Sequence, residues 1–171
     1  MGNVVIICNG EFPKKEYPLY LLRTADRIIC CDNALRTFMR HSEKIFGRLR
    51  RPDAVIGDMD SLPKRLQKEN EDIIIRVEEQ DTNDMSKAFH YVISHYDDID
   101  TIHFLAATGK REDHTIGNLS LLMEYAKELK GKQPPYIDIV SDWSTAFAVT
   151  DTCSFQVGEG RAISIFSPDN T

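Results

Sequence analysis

Pro52-Asp53-Ala54-Val55-Ile56-Gly57-Asp58-Met59-Asp60-Ser61 is the stretch on which the reading of this chain turns. Its apolar run, Ala54 to Ile56, reads as a short buried strand, and Gly57 then frees the backbone before two aspartates spaced i, i+2. In extended chain that spacing points both carboxylates the same way. Two anions held side by side repel unless a cation, a set of donors or bulk water offsets them. Mg²⁺ suits such a pair, because it favours oxygen ligands and is commonly held by one or two carboxylates plus waters and substrate phosphates. The plainer alternative is a solvated turn that closes a strand.

Outward from this stretch, apolar runs and helical stripes alternate. Val4 to Cys8 is a continuous apolar run ended by Asn9-Gly10, and Arg27 to Cys31 is a second, ended by Asp32-Asn33. Ile73 to Val77 leads into Gln80-Asp81-Thr82-Asn83-Asp84, and Thr101 to Ala106 leads into Gly109-Lys110-Arg111-Glu112-Asp113. Short helices are predicted near Leu19 to Ala25, over Ala34 to Arg40, and from Pro63 to about Asn70. Met85, Ala88, Phe89, Val92, Ile93 and Tyr96 share one face of a stronger helix, and Ile116, Leu119, Leu122, Met123, Ala126 and Leu129 share one face of another, with Asp113 as its cap.

This alternation predicts an α/β fold, a doubly wound, mostly parallel sheet with helices on both faces. Right-handed crossovers place every strand-to-helix loop on one edge, the edge where open α/β sheets bind ligands. Asn9, Asp32, Asp58, Asp60, Asp81, Asp84, Arg111 and Asp113 all follow strands, so a shared anionic cleft that holds a metal accounts for them together.

Past Gln133-Pro134-Pro135 the pattern changes. Tyr136 to Val140, Ala146 to Val149, Cys153 to Val157 and Ala162 to Phe166 read as short strands without helices between them, and Gly158-Glu159-Gly160 as a turn. The expected division is an α/β unit over residues 1–132 and the beginning of an antiparallel β-sandwich over residues 136–171.

Composition narrows the function classes. The 171 residues are 42% hydrophobic and 28% charged, normal for a globular chain, and no apolar segment is long enough to span a bilayer. A net charge of −6 disfavours a nucleic-acid binder, and Arg48, Arg50 and Arg51 read as a solvated loop. Cys8, Cys30, Cys31 and Cys153 show no paired spacing, and with no secretory pattern at the start they point to a reducing cytoplasm.

The side chains on the ligand edge each carry a plain reading as well. Asp81 is either a helix cap or a ligand-edge acid; Asp84 can complete an oxygen-ligand set. Lys87 is either a solvated helix charge or a phosphate contact, and Arg111 has the fork that suits phosphate oxygens. No P-loop exists, since Gly109-Lys110 is followed by Arg111.

Taken together, Asn9-Gly10, Cys31-Asp32-Asn33-Ala34, Gly57-Asp58-Met59-Asp60-Ser61, Gln80-Asp81-Thr82-Asn83-Asp84 and Gly109-Lys110-Arg111-Glu112-Asp113-His114, with Asn118 beyond, resemble the thiamine pyrophosphokinase family in order and spacing. The resemblance implies transfer of a pyrophosphoryl group from ATP to the hydroxyl of thiamine, giving thiamine diphosphate and AMP, with Mg²⁺ required. It implies that Asp58, Asp60 and Asp84 hold the metal, and that Asn9, Asp32, Gln80, Asp81, Lys87, Arg111, Asp113 and Asn118 lie among the residues that bind ATP or substrate. It also implies a homodimer of an α/β domain and a β-sandwich. Asn83 stands where threonine is usual, Lys110 where glycine is common, and the chain stops near the middle of the family's sandwich, so late strands and thiamine contacts are expected to be missing. Two other functions compete, a D-x-D phosphatase with Asp58 as nucleophile and a sensor that binds ATP and Mg²⁺ without turnover.

Overall fold

The computed structural model of the chain describes residues 2–79, 81–131 and 133–167. Gln80, expected to contact substrate, lies outside the described residues. In chain order the elements are β1 (Asn3–Ile7), α1 (Glu16–Thr24), β2 (Arg27–Cys31), α2 (Ala34–Phe46), β3 (Ala54–Gly57), α3 (Lys64–Glu69), a single 3-10 turn (Glu71–Ile73), β4 (Ile74–Arg76), α4 (Asp84–His95), β5 (Thr101–Leu105), α5 (Glu112–Glu128), β6 (Tyr136–Val140) and β7 (Thr145–Ala146).

Among the described residues these strands form one sheet in the order β4-β3-β2-β1-β5-β6-β7. Every pairing from β4 across to β6 is parallel, and β7 alone is antiparallel. Successive side chains of a strand face opposite ways, so the apolar runs supply two cores at once. Val4, Ile6, Ile29, Ile56 and Phe104 pack with Phe89 and Val92 of α4 and Leu122 and Tyr125 of α5. Val5, Ile7, Ile28, Val55 and Leu105 pack with Leu22 of α1 and Leu35 and Phe38 of α2. The doubly wound sheet expected from sequence is therefore observed. Cys8, Cys30 and Cys31 are buried free thiols in these cores, and Cys153 is exposed.

The strand order reverses beside β1, which has β2 on one side and β5 on the other. Gly10 lies at this crossing, with its N–H donating to the Ala106 carbonyl at 2.6 Å and the Glu11 N–H donating to the Thr108 carbonyl at 2.8 Å.

Tyr136–Val140 corrects the sequence reading. Instead of opening an antiparallel unit, it runs parallel to β5, with His103 opposite Asp138. The absence of a following helix suggests the antiparallel unit, but the strand is buried as a sheet interior is, down to Asp138, which is 1% exposed and whose Oδ1 pairs with His103 Nδ1 at 2.6 Å. Of the expected strand Ala146 to Val149 only Ala146 pairs, within the antiparallel β7, and among the described residues Cys153 to Val157 and Ala162 to Phe166 form no ladder. Phe155, Val157, Ile163, Ile165 and Phe166 are exposed, so their segments lack the covered face that strands of this kind need. The Gly158-Glu159-Gly160 turn is present, closed by the Arg161 N–H on the Gly158 carbonyl at 3.2 Å.

The stripe of α5 is also rotated from its expected place. Asn118, Leu122, Tyr125 and Leu129 face the core, whereas Ile116 and Leu119 are exposed. Tyr125 decides this, because its ring stacks on Phe89 at 3.8 Å while its hydroxyl pairs with Ser86 Oγ at 2.8 Å. Among the described residues no helix is long and apolar enough to cross a membrane.

Candidate active site

The carboxyl ends of the parallel strands gather the expected residues on one edge, but not all of them into one cluster. Asp32 follows β2 with φ 42, a left-handed conformation that aspartate tolerates better than most residues. It is 4% exposed. Its Oδ2 accepts from Ser61 Oγ, and its Oδ1 is buried with no hydrogen-bond partner among the described residues. Gly57 makes room for this aspartate, since a Cβ there would stand 2.9 Å from Asp32 Cβ.

Asp58 and Asp60 follow β3 on a tight loop, in which the Asp60 N–H donates to Asp58 Oδ1 at 3.0 Å. Asp58 is half-buried and Asp60 exposed. Asp84 opens α4. Burial raises its carboxyl above the ordinary range and the Asp32 carboxylate raises it further; the Lys87 ammonium opposes, and Asp58 adds to the rise. The ends of β2 and β3 and the start of α4 thus converge electrostatically on one point.

Lys87 is the cation at that point. Its side chain is 4% exposed, with Nζ 3.7 Å from Asp84 Oδ1. The structure rules out the solvated helix charge that the sequence left open. A buried ammonium needs an anion, and Asp84 supplies it.

Asp81 is exposed and is not the cap of α4. That role belongs to Asn83, whose Oδ1 accepts from the Ser86 N–H at 2.9 Å. The amide of Asn83 in turn donates to Asn118 Oδ1 at 2.9 Å, and Asn118 donates to the Ala107 carbonyl at 2.8 Å. Asn118 is buried and ties the end of β5 to the starts of α4 and α5. Asn118→Ala is expected to strand both partners and lower stability by about 2 kcal/mol. A thermal melt should fall by about 4–8 °C; an unshifted melt would contradict the assignment.

Arg111 and Asp113 follow β5, and they hold each other. Arg111 Nε and Nη2 donate to Asp113 Oδ1 at 3.1 Å and Oδ2 at 2.5 Å. Asp113 therefore does not cap α5 as expected; the N-cap position is Arg111, without a side-chain cap. The pair is exposed, so the fork can exchange its partner for a ligand oxygen at little cost. Asn9 follows β1 and is exposed on the same edge.

Two residues that sequence reading missed are Gln67 and Arg76, which bond the carbonyls of the Asp58 loop. Nothing in the sequence marks them, because Gln67 sits in a polar helix and Arg76 at the end of a strand.

Among the described residues no three carboxylate, histidine or cysteine side chains are grouped to hold a metal ion by themselves. The donor set still fits Mg²⁺. Its side chains are carboxylate oxygen donors whose mutual crowding at Asp84 a cation would relieve, and Mg²⁺ needs only one or two carboxylates when phosphates and water complete its shell.

A family model described as the catalytic domain of thiamin pyrophosphokinase matches residues 19–132. The chain belongs to the thiamin pyrophosphokinase family. The matched span holds Asp32, Asp58, Asp60, Asp84, Lys87, Arg111 and Asp113, with Asn9 just before it. Among solved structures, thiamin pyrophosphokinase from Geobacillus thermodenitrificans is 28% identical, with a TM-score of 0.59 over 80% of this chain and 58% of that one. The enzymes from Candida albicans (20% identical, TM-score 0.64, 81% of this chain and 58% of that one) and yeast (18%, 0.60, 82% and 59%) share the fold. The chain thus spans about three fifths of the length of these thiamin pyrophosphokinases. Comparison with curated protein sequences gives no match.

Proposed function

We propose that this chain transfers a pyrophosphoryl group from ATP to thiamine, giving thiamine diphosphate and AMP. The observation that carries the reading is Asp84, paired with the buried Lys87 and crowded by the Asp32 and Asp58 carboxylates, on the ligand edge of a thiamin pyrophosphokinase domain. In the reaction the thiamine hydroxyl oxygen bonds to the β-phosphorus of ATP, the bond from that phosphorus to the α,β-bridging oxygen breaks, and AMP leaves with the electron pair. Such a transfer needs mainly alignment and charge neutralisation.

Asp58, Asp60 and Asp84 would hold Mg²⁺, which neutralises charge on the polyphosphate when bound. Lys87 supplies a fixed positive charge in a dry setting, where it acts more strongly than in water. Arg111 would leave Asp113 for a phosphate oxygen, and Asp113 and Asp32 would orient the second substrate with Asn9 and Asp81 at the rim. Asn118 supports these loops. The division into a catalytic α/β unit and a C-terminal β unit belongs to the same reading, with β6 completing the sheet of the first. A second copy would cover the exposed apolar side chains of residues 147–167, and the setting is the cytoplasm.

The test is incubation with ATP, Mg²⁺ and thiamine, resolving AMP from ADP and inorganic phosphate. AMP that forms only when thiamine is present supports the reading. Inorganic phosphate without AMP would replace it with the phosphatase, and bound ATP without any product with the sensor.

A further inference from the structure

We propose that Gln67 and Arg76 form a clamp that positions Asp58 and Asp60, and so sets how tightly the site takes a divalent cation; this rests on the metal-holding role given to those aspartates above. The loop they hold is a difficult one. Met59, between the two aspartates, has φ 67 and is 1% exposed. A side chain with a Cβ persists in that conformation only where its surroundings over-determine it.

Gln67 and Arg76 provide those surroundings. Gln67, 7% exposed on α3, donates from Nε2 to the carbonyls of Met59 at 2.9 Å and Leu62 at 2.7 Å. Its Oε1 accepts from Arg76 Nη2 at 2.6 Å, and Arg76 Nη1 donates to the Asp58 carbonyl at 3.3 Å. Arg76 pairs in register with Gly57, whose carbonyl accepts from the Val77 N–H at 2.9 Å. The carbonyls of residues 57, 58, 59 and 62 are thus fixed from β4 and α3. A metal that must meet two carboxylates of this loop binds best when the loop cannot drift, and partners that hold ligand groups commonly govern affinity 10- to 100-fold.

A merely structural role would cost stability alone, and Arg51 offers the comparison. It donates to Asn70 Oδ1 at 3.1 Å and Asp72 Oδ1 at 2.5 Å on the connection from α3 to β4, and makes no bond to a carbonyl of the Asp58 loop. Mn²⁺ binding is measured by electron paramagnetic resonance in the presence of α,β-methylene-ATP, together with a thermal melt, for Gln67→Met, Arg76→Lys and Arg51→Met. Gln67→Met and Arg76→Lys are expected to raise the Mn²⁺ dissociation constant about tenfold. Arg51→Met is expected to lower the melting temperature and leave Mn²⁺ binding unchanged. If Gln67→Met fails to fold, Arg76→Lys, which keeps its charge and loses its fork, carries the test. Unchanged Mn²⁺ binding in the clamp variants, or an equal change in Arg51→Met, would overturn the proposal, as would a wild-type chain that binds no Mn²⁺. Wild-type Mn²⁺ binding without AMP production in the thiamine assay would instead defeat the proposed reaction, with the clamp still judged on the dissociation constants.

Discussion

Asp84→Asn is expected to lower thiamine diphosphate formation at least about a hundredfold, roughly 3 kcal/mol of transition-state stabilisation, while the ligand-free chain melts at a higher temperature than wild type. Both effects come from the same placement. Asp84 is partly buried beside Asp32 and Asp58, and these terms outweigh its attraction to Lys87, so its carboxyl is raised above the ordinary range. A carboxyl raised in the folded state gives stability that is fully present below its unfolded pKa and is lost as pH rises through the folded value. At neutral pH the group is ionised and carries the penalty, which asparagine removes. Lys87 keeps the charge of Glu79 nearby in the variant, and the asparagine amide oxygen at position 84 can still accept from it. The same reasoning makes divalent-ion binding weaken as pH falls into the raised range of Asp84, because the proton and the cation compete for one carboxylate. Calorimetry with Mg²⁺ and ATP at falling pH, with the melts beside it, checks the pair of effects. A variant that keeps its activity would remove Asp84 from the site.

Gly10→Ala is expected to be the most damaging single methyl group on the ligand edge. A Cβ at this position would stand 2.4 Å from both the Ala106 and Thr108 carbonyl oxygens. Ordinary carbon-to-oxygen contacts lie at about 3.3 Å or more. Neither neighbour can turn aside, since both are backbone oxygens that already accept from the N–H groups of Gly10 and Glu11. The substitution must therefore part β1 from the loop after β5, at a cost of about 3 kcal/mol or more. A melting temperature lower by about 6–12 °C, or no soluble folded chain, is the expected result. A variant that melts like wild type would show that the crossing is looser than its geometry.

Much of this architecture was legible in the residues, for a definite reason. Strands of a doubly wound sheet are buried on both faces, so Val4 to Cys8 and Arg27 to Cys31 stand out as unbroken apolar runs, and the fold places whatever follows them on one edge. Asp32, Asp58 and Asp84 belong to that edge on sequence order alone. Where sequence reading failed, long-range partners had altered the local pattern. Tyr136 to Val140 groups with the strands after it because no helix follows, whereas its place beside β5 is fixed by long-range pairing that includes buried Asp138 on His103. Ile116 and Leu119 looked like core until Tyr125, which sits over Phe89 and reaches Ser86, fixed the rotation of α5. Lys87 could not be told from a solvated lysine, since its burial is decided by α4 docking on β2 and β3. Gln67 and Arg76 act through backbone carbonyls, which carry no sequence signal at all.

In the proposed reaction the group transferred is the pyrophosphoryl group of ATP held on the ligand edge of this sheet. The most direct test is incubation of the chain with Mg²⁺, thiamine and ATP labelled at the β-phosphorus, followed by separation of the products. The expected result is label in thiamine diphosphate and unlabelled AMP in equal amount. Label that ends in ADP or in inorganic phosphate, with no thiamine product, would contradict it.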